Sequence, residues 1–260
     1  MAQARTQAPA IGIDIGGTGI KGALVDVVHG ELLSDRVKLP TPQGGHPDDI
    51  AEVVASIVDS LPAGDHSVGV CFPAVVRAGR TMSAANVSDE WIGLDAQSLF
   101  ERRLGRPIAI LNDADAAGVA ELSYGAAGGT AGVTIVTTLG TGIGSALLIN
   151  GVLVPNTELG HLEIDGGDAE QAAAYSAKER EGLDWAEWAQ RLQRYYSTLE
   201  MLFSPDLIVV GGGVSKHHES FLPLLSLTAP IVPATFRNNA GILGAASVGS
   251  HVVTSPPPLG

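Results

Sequence analysis

The chain has 260 residues, 45% of them hydrophobic, and a formal net charge of −13. That length allows one large domain or two fused lobes. Strong acidity disfavours broad binding to nucleic acid, which needs many Lys and Arg contacts to phosphates. The single cysteine, Cys71, excludes a disulfide framework and a cysteine-rich zinc site, and no run approaches the roughly 20 apolar residues that span a bilayer. We therefore expect a cytoplasmic protein that acts on small molecules, with no nucleic-acid or membrane partner.

A strand, a glycine turn and a second strand form the first strong pattern, over residues 11–28. Glu31–Leu39 is predicted to be a third strand. The same pattern recurs over Val133–Val154, where Thr141-Gly142-Ile143 stands in the place of Thr18-Gly19-Ile20. This internal repeat predicts two lobes of similar build.

Each glycine hairpin leads into alternating helical and strand-like segments. The predicted helices are Pro47–Leu61, Ala96–Leu104, Asp184–Leu202 and Asn238–Val248, and the predicted strands are Ser67–Phe72, Pro107–Leu111 and Asp206–Val210. The alternation predicts an α/β protein with an N-terminal lobe at 1–118 and a C-terminal lobe at 119–260. The last helix, at about 238–250, could pack back on the first lobe.

The first glycine turn matches the dinucleotide-binding pattern G-x-G-x-x-G at Gly17, Gly19 and Gly22. A dinucleotide-binding turn opens a helix, whereas the residues after Lys21 continue as a strand. The context favours a phosphate-binding hairpin, in which glycines permit positive φ and close approach and successive N–H groups bind an anion. Thr18 and Lys21 would add a hydroxyl and a charge. The alternative is an ordinary glycine-rich hairpin.

The second copy of the turn, at residues 139–144, favours the phosphate-binding interpretation. Two such turns on related lobes can face each other across a cleft and hold one phosphate chain. A third glycine turn, Gly211–Gly213, follows a buried strand. Glycines at the carboxyl end of an α/β strand are typical of a ligand crevice.

Asn112 and Asp113 stand where a predicted strand stops and a helix begins. A carboxylate at a strand end can accept the proton of a sugar hydroxyl as that hydroxyl attacks phosphorus, with Asn112 orienting a neighbouring hydroxyl. Capping of the following helix by either residue is the alternative, and the segment alone leaves both open. Asp115 fits a helix-terminal charge better than a catalytic group.

Glu158 and His161 follow the second hairpin, and together they suit a polyol because glutamate accepts and histidine can donate hydrogen bonds. The same pair could ligate a metal, but no third histidine or cysteine lies close by in the sequence, which disfavours zinc. Ser83 and Asn86, in the polar loop before Trp91, could complete a sugar pocket or belong to a surface turn.

Five motifs occur in the order seen in the ROK family of bacterial sugar kinases, which the chain resembles over most of its length. They are Asp14–Lys21, Leu111–Asp115, Thr138–Gly144, Glu158–His161 and Ile208–Gly213. The resemblance implies an α/β fold of two actin-like (hexokinase-like, ribonuclease H-like) lobes with a cleft between them. It also implies magnesium as a cofactor and a homodimer.

Many family members follow the Glu-x-Gly-His motif with a cysteine cluster that binds zinc, and this chain has no such cluster. We therefore expect no zinc and a His161 that contacts sugar. Residues 160–165 and 178–188 resemble the zinc-free subgroup of polyphosphate glucokinases and polyphosphate/ATP glucomannokinases. That likeness implies glucose or mannose as the acceptor, and ATP or inorganic polyphosphate as the donor.

The resemblance also implies roles for individual residues. Asp113 would be the catalytic base for the 6-hydroxyl of the hexose. The substrate would be held by Asn112, Asp113, Glu158, His161, Asn86, Ser83 and Glu170. The phosphate donor would contact Asp14, Gly16, Gly17, Thr18, Gly19, Lys21, Thr141, Gly142, Gly212 and Gly213. Asp14 would act on magnesium through water. A basic path for polyphosphate could use Lys21, Lys178, Arg180, Lys216 and Arg237, unless these lie on solvated helix surface.

Three other functions fit parts of the pattern. One is an ATP-only kinase of another hexose. Another is a non-catalytic sugar sensor of ROK type, although only about ten residues precede the first strand, too few for a DNA-binding helix-turn-helix. An actin-like ATPase would share the phosphate turns but needs no sugar pocket.

Overall fold

The computed structural model describes residues 8–84 and 86–252. These residues form two compact units, the first up to Ala116 and again from Gly241, and the second over Ala117–Ala240. The first unit thus ends close to the predicted boundary at residue 118. No helix in the described part of the chain is both long and apolar enough to cross a membrane.

Strands and helices alternate along the chain much as the sequence predicts. The strands are β1 (Ala10–Ile15), β2 (Ile20–Asp26), β3 (Glu31–Leu32), β4 (Val37–Leu39), β5 (Ser67–Phe72), β6 (Val76–Arg77), β7 (Arg80–Thr81), β8 (Ile108–Asn112), β9 (Val133–Leu139), β10 (Ile143–Ile149), β11 (Val152–Val154), β12 (Glu163–Ile164), β13 (Gly167–Asp168), β14 (Leu207–Gly211) and β15 (Ile231–Pro233). The helices are α1 (Pro47–Ser60), α2 (Ala96–Leu104), α3 (Asp113–Tyr124), α4 (Ala169–Ala173), α5 (Tyr175–Glu181), α6 (Trp185–Phe203) and α7 (Ala240–Gly249). Short 3₁₀ helices lie at Asp89–Trp91, Leu159–His161, Gly213–Ser220, Leu222–Leu224 and Arg237–Asn239.

The sheet of the first unit has the strand order β3-β2-β1-β5-β8, and β4 also pairs with β2. β1 runs antiparallel to β2 and parallel to β5, which is parallel to β8. Ile11, Ile13 and Ile15 alternate onto one face of the sheet, where they join the buried core with residues of α1 and α2. The opposite face carries Gly12 and Gly69, which lie against the backbone of α7.

The predicted third strand, Glu31–Leu39, is wrong as a single element because it is broken into β3 and β4. Both short strands pair with β2. Between them the backbone N–H of Leu24 donates to the side-chain hydroxyl of Ser34 at 3.0 Å. A side chain therefore takes the place of a backbone acceptor at this point, and the ladder is interrupted.

The sheet of the second unit has the order β11-β10-β9-β14-β15 and repeats the first. Its β9–β10 hairpin is antiparallel, and β9 is parallel to β14, which is parallel to β15. The predicted repeat is therefore confirmed. The longest helix, α6, buries Trp188, Leu192 and Tyr196 in the core of this unit, and Asp184 caps it by accepting from the N–H of Glu187 at 2.8 Å.

A fully buried carboxylate organises the end of α3. The Oε2 atom of Glu121 accepts from the N–H of Ala126 at 2.9 Å and of Thr235 at 3.1 Å. Its Oε1 atom accepts from the N–H of Phe236 at 3.0 Å. Glu121 thus accepts hydrogen bonds from three backbone N–H groups, and such groups need an acceptor when they are buried.

Replacing Glu121 by alanine is expected to lower the free energy of unfolding by about 3 kcal/mol or more, because each donor left unsatisfied in the interior costs about 1–3 kcal/mol. Urea denaturation of the variant measures the loss. Glu219→Ala, at an exposed position, should stay within about 0.5 kcal/mol of the parent chain. Equal stability of the two variants would contradict the role given to Glu121.

Candidate active site

The first group of predicted site residues lies at the carboxyl ends of the parallel strands of the first unit. Asp14, near the end of β1, is in register with Lys21 of β2 and Cys71 of β5. Asn112 ends β8 and Asp113 begins α3. Carboxyl ends of parallel strands meet at one edge of a sheet, where α/β proteins bind ligands. The predicted strand-to-helix junction at Asn112 and Asp113 is confirmed.

The carboxylate of Asp14 is held by a lysine and lies beside a helix N-terminus. Lys21 Nζ donates to Asp14 Oδ2 at 2.8 Å, and the thiol of Cys71 makes a long contact of 3.7 Å to Oδ1. A Cβ atom on Gly241, in the first turn of α7, would lie 2.9 Å from Asp14 Cγ. That helix end carries a partial positive charge. With a side chain 15% exposed, Asp14 remains in contact with solvent.

Cys71 is fully buried beneath these groups. Burial raises the pKa of its thiol well above the ordinary value, and the negative charges of Asp14 and Asp113 raise the pKa further. The thiol therefore stays protonated and is not a nucleophile. Since both carboxylates act on one buried sulfur, the structure brings Asp14 and Asp113 to the same region of the first unit.

Asn112 caps α3, which was one of the two alternatives that its sequence position left open. Its Oδ1 atom accepts from the N–H groups of Ala114 at 2.8 Å and Asp115 at 3.0 Å. Its Nδ2 atom donates to the carbonyl of Ala74 at 3.1 Å, and the residue is only 7% exposed. A contact from Asn112 to sugar stays a prediction and would have to be made beside these three hydrogen bonds.

Asp113, the first residue of α3, is half-buried. Its Oδ1 atom accepts from the N–H of the adjacent Ala114 at 2.9 Å. Asn112 therefore does most of the capping, and Asp113 keeps a partly exposed carboxylate at the edge of the sheet. This division of roles is compatible with Asp113 as a base.

Ser83 and Asn86 lie in the loop after β7 but contact different parts of the unit. The Ser83 hydroxyl accepts from the N–H of Val75 at 3.1 Å, next to the carbonyl that Asn112 holds. Asn86 has a positive φ of 61° and lies against the first glycine turn, where a Cβ on Gly17 would be 2.7 Å from Asn86 Cβ. Asn86 therefore belongs to the glycine turn, and Ser83 to the segment that follows β5.

The first glycine turn joins β1 to β2, and β2 continues as a strand, as the sequence predicts. Gly16 N donates to Gly19 O at 3.1 Å, and the Thr41 hydroxyl donates to Gly16 O at 2.5 Å. Thr18 is exposed at the tip. No residue of this turn has a positive φ. Glycines are required here because side chains of other segments approach them closely. The predicted use of positive φ is wrong for this turn.

Lys38 is a positive charge at this turn that the sequence analysis missed. It pairs with Lys21 across β2 and β4. A Cβ on Gly19 would lie 2.8 Å from Lys38 Cε, so the lysine side chain crosses the glycine. Lys38 lies 19 residues after Gly19 in the sequence, and only strand pairing brings the two together. A local sequence pattern therefore does not reveal the contact.

The second glycine turn, in the second unit, is also closed by a backbone hydrogen bond between glycines, although it is one residue shorter than the first. Gly140 N donates to Gly142 O at 3.0 Å. Ser176 supports the turn from outside, because its N–H donates to Gly140 O at 3.0 Å and its hydroxyl donates to Thr141 O at 2.6 Å. These bonds engage the carbonyl oxygens of Gly140 and Thr141. Ser176 was not predicted.

Glu170 and Gly212 lie against the second glycine turn. The Ile143 N–H, directly after the turn, donates to Glu170 Oε2 at 3.0 Å, and a Cβ on Gly142 would overlap that carboxylate. Gly212 has a φ of 82°, and a Cβ there would overlap the backbone of Leu139. The structure thus brings a predicted sugar ligand and three predicted phosphate contacts, Thr141, Gly142 and Gly212, to one edge of the second sheet. Gly213 follows directly and opens a 3₁₀ helix.

Glu158 precedes the 3₁₀ helix beside β10, and His161 is the last residue of that helix. His161 Nδ1 lies 2.8 Å from Asp168 Oδ2, and this hydrogen bond, with the charges of Glu170, Asp168 and Glu158, raises the pKa of the imidazole. Partial desolvation raises the pKa of Glu158, with a further contribution from Glu170 and an opposing one from His161. Asp168 was not predicted as a site residue, because only a hairpin brings it back to His161.

His161, Asp168 and Glu170 present nitrogen and oxygen atoms that lie within 4.8 Å of one another, a grouping that could accept a cation. Each residue nevertheless has a protein partner. Asp168 Oδ2 pairs with His161, Asp168 Oδ1 accepts from the Glu170 N–H at 3.0 Å, and Glu170 Oε2 accepts from Ile143. These bonds account for the arrangement without a metal ion, and the absence of zinc stays an expectation.

Comparison with known proteins places the chain in a family. The ROK family model matches residues 10–181. A polyphosphate glucokinase of Mycobacterium tuberculosis (strain CDC 1551 / Oshkosh) is 45% identical over 244 residues, which are 94% of this chain and 92% of that protein. The crystal structure of an inorganic polyphosphate/ATP-glucomannokinase from Arthrobacter sp. strain KM is 54% identical, covering 94% of this chain and 98% of that one, with a TM-score of 0.90.

A ROK family glucokinase from Streptomyces griseus, solved with glucose and AMPPNP, shares the fold with a TM-score of 0.76 at 24% identity, over 93% of this chain and 99% of that one. These structural likenesses confirm the predicted α/β, actin-like sugar-kinase fold. The family model and the 45% identity over nearly the whole sequence together show that the chain belongs to the ROK family.

Proposed function

We infer that the protein is a kinase that transfers a phosphoryl group from inorganic polyphosphate or ATP to the 6-hydroxyl of glucose. The observation that carries this inference is the identity of 45% and 54% to two proteins named for these donors and sugars, over 94% of this chain in both cases. Mannose as a second acceptor is part of the proposal.

Asp113 is the proposed catalytic base. The 6-hydroxyl oxygen of glucose forms a bond to the terminal phosphorus of the donor, and the bond from that phosphorus to its bridging oxygen breaks. Asp113 accepts the hydroxyl proton. The products are glucose 6-phosphate and either ADP or a shortened polyphosphate. The half-buried position of Asp113 at a strand-to-helix junction supports this role.

The donor phosphates are assigned to the glycine turns, with Thr18, Lys21 and Thr141 adding polar groups. Asp14 fits a magnesium ion, because carboxylate oxygens are the hard ligands that this ion prefers, and it would hold the ion through water since Lys21 already occupies Oδ2. When bound, magnesium supplies positive charge that offsets the charge of the donor phosphates. Lys21 and the N-terminus of α7 lie beside this carboxylate.

The hexose ring is assigned to Glu158, His161 and Glu170, with Asn112, Asn86 and Ser83 as further contacts. Three carboxylate or imidazole groups near one another can accept and donate to several hydroxyls of one ring. The hydrogen bond of Glu170 to the second glycine turn supports a coupling of sugar binding to donor binding.

Among the residues predicted for a polyphosphate path, three have structural partners, and one of them is Lys21, which is paired with Asp14. Lys178 donates to Leu183 O at 2.7 Å, and Arg180 pairs with Glu181 at 2.9 Å. Lys216 and Arg237 are exposed on 3₁₀ helices of the same unit. Lys216 and Arg237 are therefore the better residues of this unit for testing contacts to a long donor. A cytoplasmic location and a homodimer remain proposals from the sequence.

The decisive test gives the purified protein glucose and magnesium with either nucleotide-free polyphosphate or ATP as the sole donor. We expect glucose 6-phosphate from both donors. An identically purified Asp113→Asn preparation is the control for contaminating kinases. Product from ATP alone would remove polyphosphate from the proposal. No product from either donor, despite a rise in melting temperature with glucose, would favour a non-catalytic sugar sensor.

A further inference from the structure

A short hairpin carries an aspartate back to the proposed sugar-binding histidine. β12 and β13 pair antiparallel, and the turn between them uses Asp165 and Gly166, with φ values of 56° and 81°. The hairpin ends at Asp168, which is also the N-cap of α4 because its Oδ1 atom accepts from the Glu170 N–H at 3.0 Å. The hairpin thus holds the backbone of Asp168, and the hydrogen bond to Glu170 N–H holds its Oδ1 atom.

The other oxygen of Asp168 holds His161. Oδ2 lies 2.8 Å from His161 Nδ1. The His161 side chain is 54% exposed, so without a partner the imidazole could rotate among several orientations. A hydrogen bond at one ring nitrogen fixes both the proton on that atom and the direction in which the other nitrogen points.

We propose that Asp168 is a positioning residue for the acceptor sugar: it holds the imidazole of His161 through Nδ1 so that Nε2 is presented to a hydroxyl of the hexose. The inference rests on the proposed function of this site in sugar binding. Asp168 itself touches neither substrate in this assignment.

The charges around His161 give the contact a measurable signature. Three carboxylates act on the imidazole: Asp168 from β13, Glu170 from α4, and Glu158 ahead of the 3₁₀ helix. The hydrogen bond with Asp168 is the largest cause of the raised pKa of His161. A raised pKa keeps the imidazolium to higher pH, so removal of the Asp168 charge lowers the pKa of His161 and moves the corresponding inflection to lower pH.

Three variants separate the roles of Asp168. Asp168→Asn removes the charge but retains a good N-cap for α4, whereas Asp168→Ala removes both. Asp165→Asn is the matched control, because Asp165 lies in the same hairpin and its oxygens pair with Arg194 at 2.8 and 2.9 Å, away from His161. All three variants change the net charge equally.

The experiment measures KM for glucose and kcat over a pH series, and follows the His161 ring by NMR titration in the sugar-free protein. We expect Asp168→Ala to raise KM for glucose about tenfold, with kcat and KM for ATP changed less than about threefold, and Asp168→Asn to give a smaller rise. The pKa of His161 should fall in both Asp168 variants and stay unchanged in Asp165→Asn.

Two results would overturn the proposal. One is an unchanged KM for glucose in Asp168→Ala and Asp168→Asn. The other is a raised KM with an unchanged pKa of His161, which would mean that Asp168 acts only as a helix cap. If the wild-type chain phosphorylates no glucose, the proposed function fails, and the sugar role of Asp168 fails with it. The NMR titration reads the Asp168–His161 contact in either case, so the two failures are distinguishable.

Discussion

Asp113→Asn is expected to lower kcat for glucose phosphorylation by about 10²–10⁴-fold, the usual contribution of a positioned general base. The dissociation constant for glucose should change little, because the amide keeps the size of the carboxylate and Asn112 provides most of the cap of α3. The measurement is kcat with saturating ATP and glucose, together with direct glucose binding by calorimetry.

Asp95→Asn is the matched control for Asp113→Asn. Asp95 is also a carboxylate at a helix N-terminus of the first unit, and its Oδ1 atom accepts from the Ser98 N–H at 3.1 Å. Asparagine caps helices as well as aspartate does, so this variant should keep wild-type turnover. Turnover of Asp113→Asn within tenfold of the wild type would exclude Asp113 as the base.

Gly69→Ala is expected to destabilise the fold, lowering the free energy of unfolding by about 3 kcal/mol or more. A Cβ on Gly69 would overlap the carbonyl of Ala245, and a Cβ on Gly12 would overlap the carbonyl of Ile242 in the same helix. These neighbours are backbone atoms, which cannot avoid the methyl group by rotating a side chain. α7 would have to move off the sheet and expose buried residues on its inner face.

Chemical denaturation of Gly69→Ala tests this expectation, with Gly167→Ala as the control. An added Cβ on Gly167 would meet no heavy atom within 4 Å, and its φ is not positive. That variant should unfold within about 0.5 kcal/mol of the wild type. Because Gly241 of α7 lies against Asp14, Gly69→Ala should also lose activity before it loses its secondary structure. Wild-type stability of Gly69→Ala would contradict the close packing of α7.

Features that depend on neighbours in the sequence were predictable. The two hairpins, their glycine turns and the long helix α6 follow from the periodicity of apolar residues and from turn glycines. The junction at Asn112 and Asp113 follows in the same way. The order of the motifs then indicated the family and the class of reaction, and the comparisons confirm both.

Features that depend on contacts across the fold were not predictable. Ser34 breaks a strand because its hydroxyl meets Leu24 on the paired strand. The sequence position of Asn112 fits a helix cap or a sugar contact, and the hydrogen bonds of its Oδ1 atom show the cap, whereas the sugar contact stays a prediction. Lys38 and Ser176 reach the glycine turns only through strand pairing and through the packing of α5.

The sequence by itself determined the repeated α/β architecture, the family and most of the residues proposed to handle sugar and phosphate, because each of these is written in local patterns of a few residues. Only the tertiary structure decided why the glycines are needed and what holds His161. Both features depend on contacts between residues that are not adjacent in the chain. Helix packing sets the distance between Gly69 and α7, and hairpin geometry sets the distance between Asp168 and His161.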